Sequence, residues 1–120
     1  MNFEDVEVIS YFCLMGMAQN EILNRIRTIL HIVAPEAKAL LFGSRARGDS
    51  RQDSDWDILI LIDKEKVKNS DFDEIAYPLI EFGWTIGEVI TPKIYTLQGW
   101  LARNFTPFYK NVERDAIILQ

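Results

Sequence analysis

A chain of 120 residues has the size of one domain, which excludes a polymerase with separate template-gripping domains. Its 48% hydrophobic and 26% charged residues exclude both a disordered chain and a membrane bundle. Thirteen basic against eighteen acidic residues give a net charge of -5, which argues against direct nucleic-acid binding through a broad basic surface. Any anionic ligand must be held by a local site.

In chain order, the apolar run Val8 to Met17 is only ten residues long and is preceded by Glu4, Asp5 and Glu7. A membrane span needs about 20 residues, and a signal peptide starts with positive charge. Residues 1–17 therefore read as an extension, either packed on the body or non-native with a true start at Met15 or Met17. Residues 18–120 read as the domain. The lone Cys13 excludes an intramolecular disulfide framework, as in a cytoplasmic protein, and one Cys with one His disfavours zinc. From Ala18 to Ala34, Ile22, Ile26, Ile29, Leu30 and Val33 recur at helical spacing, with His31 opposite as a solvated residue.

Ala37 to Phe42 is predicted as a strand, followed by a polar Arg-rich turn to Ser54. Ile58 to Ile62 reads as a central strand buried on both faces. Asp71 to Phe82 is predicted helical, with Phe72, Ile75, Ala76 and Leu79 on one face and a kink at Pro78. Lys64, Lys66 and Lys68 before it read as solvated. Trp84 to Tyr95 is predicted extended, with Pro92 at an edge or bulge. A helix from Leu97 to Arg103 follows, then one starting at the Thr106-Pro107 cap and ending near Asp115, then a short strand over Ile117 to Leu119. Trp84, Trp100, Phe105, Phe108 and Tyr109 read as core aromatics. The order implies an α/β (α+β) fold, a small mixed β-sheet with helices mainly on one face.

Chemistry concentrates in the stretch from Leu41 to Leu59. A strand runs into Gly43-Ser44, and Gly48 follows in the turn. Such glycines let backbone amides approach an anion closely. Arg45, Arg47 and Arg51 add positive charge to an otherwise acidic chain. Ten residues separate Ser44 from Asp55-Trp56-Asp57, at the mouth of the buried strand. Strand alternation sends both carboxylates one way and Trp56 the other. Asp53 is in phase but farther into the loop, and reads as solvated. A carboxylate pair of this kind repels itself unless cations intervene, and hard oxygen ligands favour Mg²⁺ or Mn²⁺. A phosphate cradle beside such a pair is what nucleotidyl transfer requires.

Gly43-Ser44, the ten-residue gap and Asp55-x-Asp57 resemble the signature of the DNA polymerase β nucleotidyltransferase superfamily. Gly43 to Asp49 and Ser54 to Leu59 are similar to its minimal bacterial and archaeal members. Weaker likeness continues through Ile90 to Tyr95 and Thr106 to Tyr109. The resemblance implies that Gly43 and Ser44 hold the triphosphate of ATP, with Arg45 and Arg47 facing the phosphates. It implies that Asp55 and Asp57 bind two Mg²⁺ ions. It also implies a third carboxylate on a later strand, where Glu88 is the candidate. If the Glu88 face looks into the cleft, a triad is complete. If it looks into the core, the charge is expensive and the strand must be read differently.

The resemblance further implies a helical HEPN-type protein partner in a toxin–antitoxin pair, and transfer of AMP from ATP to a hydroxyl of that partner. The alternative is a catalytically weak or inactive nucleotide-binding or partner-binding subunit. An antibiotic nucleotidyltransferase ranks third, since the acceptor would need another domain or a dimer surface. Homo-oligomerisation stays open.

Overall fold

A computed structural model describes residues 17–120 of the protein. Apart from Met17, the N-terminal apolar run lies outside the described residues. Helix α1 (Gln19–Val33) forms because its apolar residues fall on one stripe, and Ile22, Ile26 and Leu30 are buried while His31 is exposed. Strand β1 (Lys38–Phe42) leads into a helical turn, α2 (Ser44–Arg47). Strand β2 (Trp56–Ile62) follows a loop and is buried along most of its length.

Next comes a continuous helical stretch of three parts: α3 (Asn69–Asp71), a π-helical turn (Phe72–Ala76) and α4 (Tyr77–Ile86). Pro78 has no amide hydrogen for the preceding turn, and the wider π-turn just before it takes up the mismatch. Ile75, Ala76 and Leu79 are buried as expected, whereas Phe72 is 46% exposed. Strand β3 (Ile90–Thr96), helices α5 (Leu97–Leu101) and α6 (Pro107–Asp115), and strand β4 (Ile117–Ile118) complete the chain. The α6 start is capped as its sequence predicts, with the Thr106 hydroxyl accepting the Tyr109 amide.

One expectation fails here. The segment Trp84 to Glu88 is not extended: α4 runs through Ile86, Gly87 closes it at φ 72°, and the strand begins at Ile90. The aromatic and β-branched residues Trp84, Thr85 and Ile86 suit a strand locally. Packing decides otherwise, because Leu79, Phe82, Gly83 and Ile86 continue the helical phase against the core.

The sheet order is β3-β2-β1-β4. β1 is antiparallel to both β2 and β4, while β2 and β3 are parallel, joined by the α3–α4 crossover. Pro92 sits on the edge strand, as its missing donor requires. The two longer helical stretches pack on one face, where α1 and α4 meet Ala39, Leu41, Ile58 and Ile60. The other face carries a thinner layer from α5 and α6, with Trp100 and Val112 over Phe42, Leu59 and Leu61. Phe108 and Tyr109 join this second cluster as expected, but Trp84 and Phe105 are exposed at 64% and 75%.

Lys64 is also more than a solvated lysine. Its Nζ donates to the Asp71 carboxylate at 2.6 Å, and that same buried carboxylate accepts the Lys68 amide at 2.9 Å. These bonds, led by the one from Lys64, hold the Asp71 carboxyl below the ordinary carboxylate range. A depressed folded-state pKa stabilises the fold above the unfolded value, and that stability is lost as pH falls through the folded value. Asp71→Ala should cost about 1–2 kcal/mol in neutral urea melts through the lost helix-start bond. Its stability should also decline less steeply below pH 4 than that of the unaltered protein.

Candidate active site

The site forms where β1 ends beside the start of β2, with Phe42 opposite Asp57 in the antiparallel register. Gly43 has φ 75° and ψ -159°, a conformation open in practice to glycine alone. A Cβ at Gly43 would overlap the Asp57 carboxylate oxygen Oδ2. Glycine is therefore required twice, for the backbone turn and for room beside the acid. α2 starts at the next residue, so Ser44 stands at its first position, half-buried.

Asp57 lies on the face of β2 that Leu59 and Leu61 present to the α5–α6 layer, and Asp55, just before the strand, is near enough for its charge to act on it. Asp55 is exposed and Asp57 half-buried. Burial raises the Asp57 pKa above its ordinary value, and the Asp55 charge raises it further, while Lys93 and Arg47 oppose the shift. The Thr91 hydroxyl lies 3.5 Å from Asp55 Oδ2. Arg47 is exposed and lines a cavity of about 210 Å³ with Gly43, Phe42, Phe108, Asn111 and Asp115. Asp53 is exposed in the loop, as expected.

Two of the residues expected here are elsewhere. Arg45 is buried at 8% exposure and turns away from the carboxylates. Its guanidinium lies 4.5 Å from the Trp56 ring centroid, and Trp56 points to the opposite face of β2. It donates to the Ser54 carbonyl at 3.0 Å, the Gln52 carbonyl at 3.2 Å and the Ser50 hydroxyl at 3.4 Å. Arg45 thus holds the loop between α2 and β2, on the Trp56 side of the strand and not on the Asp57 side. Glu88 is on that same opposite side: it accepts the Trp56 indole N–H at 3.1 Å and lies 3.8 Å from Arg45 Nη2.

Glu88 follows the helix cap and precedes β3, so it has no strand face from which to complete a triad. Among the described residues no cluster of three metal-ligating side chains forms. Opposite Asp57 on β3 stands Thr91, and opposite Leu59 stands Lys93. A search for a third carboxylate does not single out either residue, although alternation from Ile90 places both on the carboxylate face.

Magnesium binds few protein carboxylates and completes its shell with water and substrate phosphates. The donor set of Asp55 and Asp57, an acid pair whose mutual repulsion and burial keep Asp57 partly unfavourable, fits an ion of that kind. It does not fit an all-protein cage.

This arrangement of a mixed sheet, a glycine turn and a strand-end acid pair defines a nucleotidyltransferase domain. The chain belongs to the polymerase beta nucleotidyltransferase family, whose profile matches residues 24–85. Similar solved structures agree. One described as a candidate minimal nucleotidyltransferase is 26% identical, with a TM-score of 0.56, covering 85% of this chain and 96% of its own. A toxin–antitoxin structure with AMP-PNP is 19% identical, with a TM-score of 0.55 over 82% of this chain and 72% of its own. A MntA–HpeT toxin–antitoxin mutant is 17% identical, with a TM-score of 0.53 and the same coverage. No curated protein matches the sequence. No described helix is long and apolar enough to cross a membrane.

Two outcomes follow from the Gly43–Asp57 contact. Gly43→Ala should destabilise the protein by about 1–3 kcal/mol in denaturant melts and displace the Asp57 carboxylate. Asp57→Asn should do the reverse in metal-free buffer. Because the folded-state pKa of Asp57 is raised, its ionisation weakens the fold as pH climbs through the window above the unfolded value. Removing that charge should raise Tm at pH 7 by a few degrees and leave Tm unchanged at pH 3.

Proposed function

We propose that the protein is a magnesium-dependent nucleotidyltransferase that moves AMP from ATP to a hydroxyl of a helical, HEPN-type toxin partner. The observation that carries this reading is the Asp57 carboxylate against the Gly43 turn with the Asp55 carboxylate close beside it. The toxin–antitoxin neighbours, one of them with AMP-PNP, support the nucleotide and partner classes.

In this mechanism, Asp55 and Asp57 would hold the magnesium, which supplies charge neutralisation at the phosphates and acidifies the acceptor hydroxyl. Gly43 and Ser44 present backbone amides and a hydroxyl to the triphosphate, and Arg47 adds a cation on the same side. The acceptor oxygen bonds to the α-phosphorus in line, the bond from that phosphorus to the bridging oxygen breaks, and pyrophosphate leaves. The hydroxyl proton passes to solvent water. The protein's own contribution is positioning and electrostatic preorganisation.

A second reading is favoured by one observation, the threonine at the β3 position opposite Asp57. On this reading the site binds nucleotide but transfers poorly, and the subunit silences its partner stoichiometrically. Incubation with α-labelled ATP, Mg²⁺ and the co-purified helical partner separates the two. Transfer predicts a labelled partner, with labelling reduced roughly a hundredfold in Asp55→Asn and Asp57→Asn. Stoichiometric silencing predicts no label and full partner inhibition by both variants.

A further inference from the structure

We propose that Lys93 is a phosphate-binding residue of this site, its ammonium group contacting the bound nucleotide from the β3 side while Arg47 does so from the β1 side. This rests on the nucleotidyltransferase reading above and names a contact that reading lacked. The parallel register sets Asp57 beside Thr91 and Leu59 beside Lys93, so Lys93 and the acid pair share one face of the sheet. Tyr95, two residues on, packs on Trp100 in the cluster on that same face. Lys93 is exposed, and its Nζ lies 5.5 Å from the Phe108 ring centroid. The ring supports the side chain, and the charged head stays in solvent near Asp57.

Charge balance gives the position its purpose. A polyphosphate approaching two carboxylates is repelled unless cations flank them. Of the arginines before the acids, Arg45 is committed to the loop and Trp56 on the other face, and Arg51 lines a cavity there with Arg45, Trp56 and Glu88. Arg47 shares its charge with Asp49 at 3.4 Å. Among the described residues Lys93 forms no ion pair, and with Arg47 it makes up the two cations that act on Asp57. Of these two it is the one without an ion pair, and so the more available to an incoming anion.

Titration calorimetry with a non-hydrolysable ATP analogue in Mg²⁺ tests this on the whole protein, with adenosine as the uncharged probe. Lys93→Ala should weaken analogue binding roughly tenfold, the loss of one charge-assisted contact, without lowering Tm or adenosine binding. Lys93→Arg should restore most of the affinity, and Lys66→Ala, in the loop after β2, should match the unaltered protein. Equal analogue affinity in Lys93→Ala overturns the inference and leaves the function standing. Equal losses for analogue and adenosine also overturn it, since the residue would then act on structure. Failure of the unaltered protein to bind the analogue overturns the functional reading itself.

Discussion

The site depends on how closely the end of β1 approaches the start of β2. At that point the Asp57 carboxylate occupies the volume that any side chain at Gly43 would need. Two strands of opposite direction place a glycine turn and an acid side by side, and the register pairing Phe42 with Asp57 fixes their relative height. Because the register is set by buried residues along β2, the chemistry at the strand end inherits its accuracy from the core. The half-buried acid in turn carries a penalty that a bound cation would relieve, so local instability and binding capacity share one cause.

Strand alternation divides labour across the sheet. On one face Trp56, Arg45 and Glu88 form a closed set, with stacking, carbonyl contacts and an ion pair tying the loop to the turn before β3. On the other face Asp55, Asp57, Thr91 and Lys93 remain accessible or half-buried. The indole N–H that needs a partner inside the fold finds it in Glu88. That is why this glutamate serves structure and not the acid pair.

Much of this was legible from residue types. The α1 stripe, the central β2 and the Thr106 cap each have a local cause, and each stands as read. The boundary after α4 does not have a local cause. Trp84, Thr85 and Ile86 favour a strand by type, and only their phase with Leu79 and Phe82, closed by Gly87, reveals the helix. Extending the strand back to Trp84 gives Glu88 a strand face that it does not have, whereas the faces of Thr91 and Lys93 are the same with either start. Arg45 illustrates a different limit. A guanidinium among glycines reads as a phosphate ligand, yet its partners are carbonyls in the loop that follows and a ring on the far face. Long-range burial of that kind leaves no mark on spacing.

The inward arginine has a consequence for how the site handles a ligand. A loop of polar residues such as Ser50 to Ser54 would ordinarily sample many shapes, and a ligand closing on it would bear the cost of ordering. Arg45 grips that loop through two backbone carbonyls and a hydroxyl before any ligand arrives. The conformational entropy is surrendered once, during folding, and is not charged again at each encounter. A planar five-donor group can make that grip and stack on an indole together, which the single ammonium of lysine cannot. The arginine therefore orders the loop beside the site through contacts made entirely within the fold.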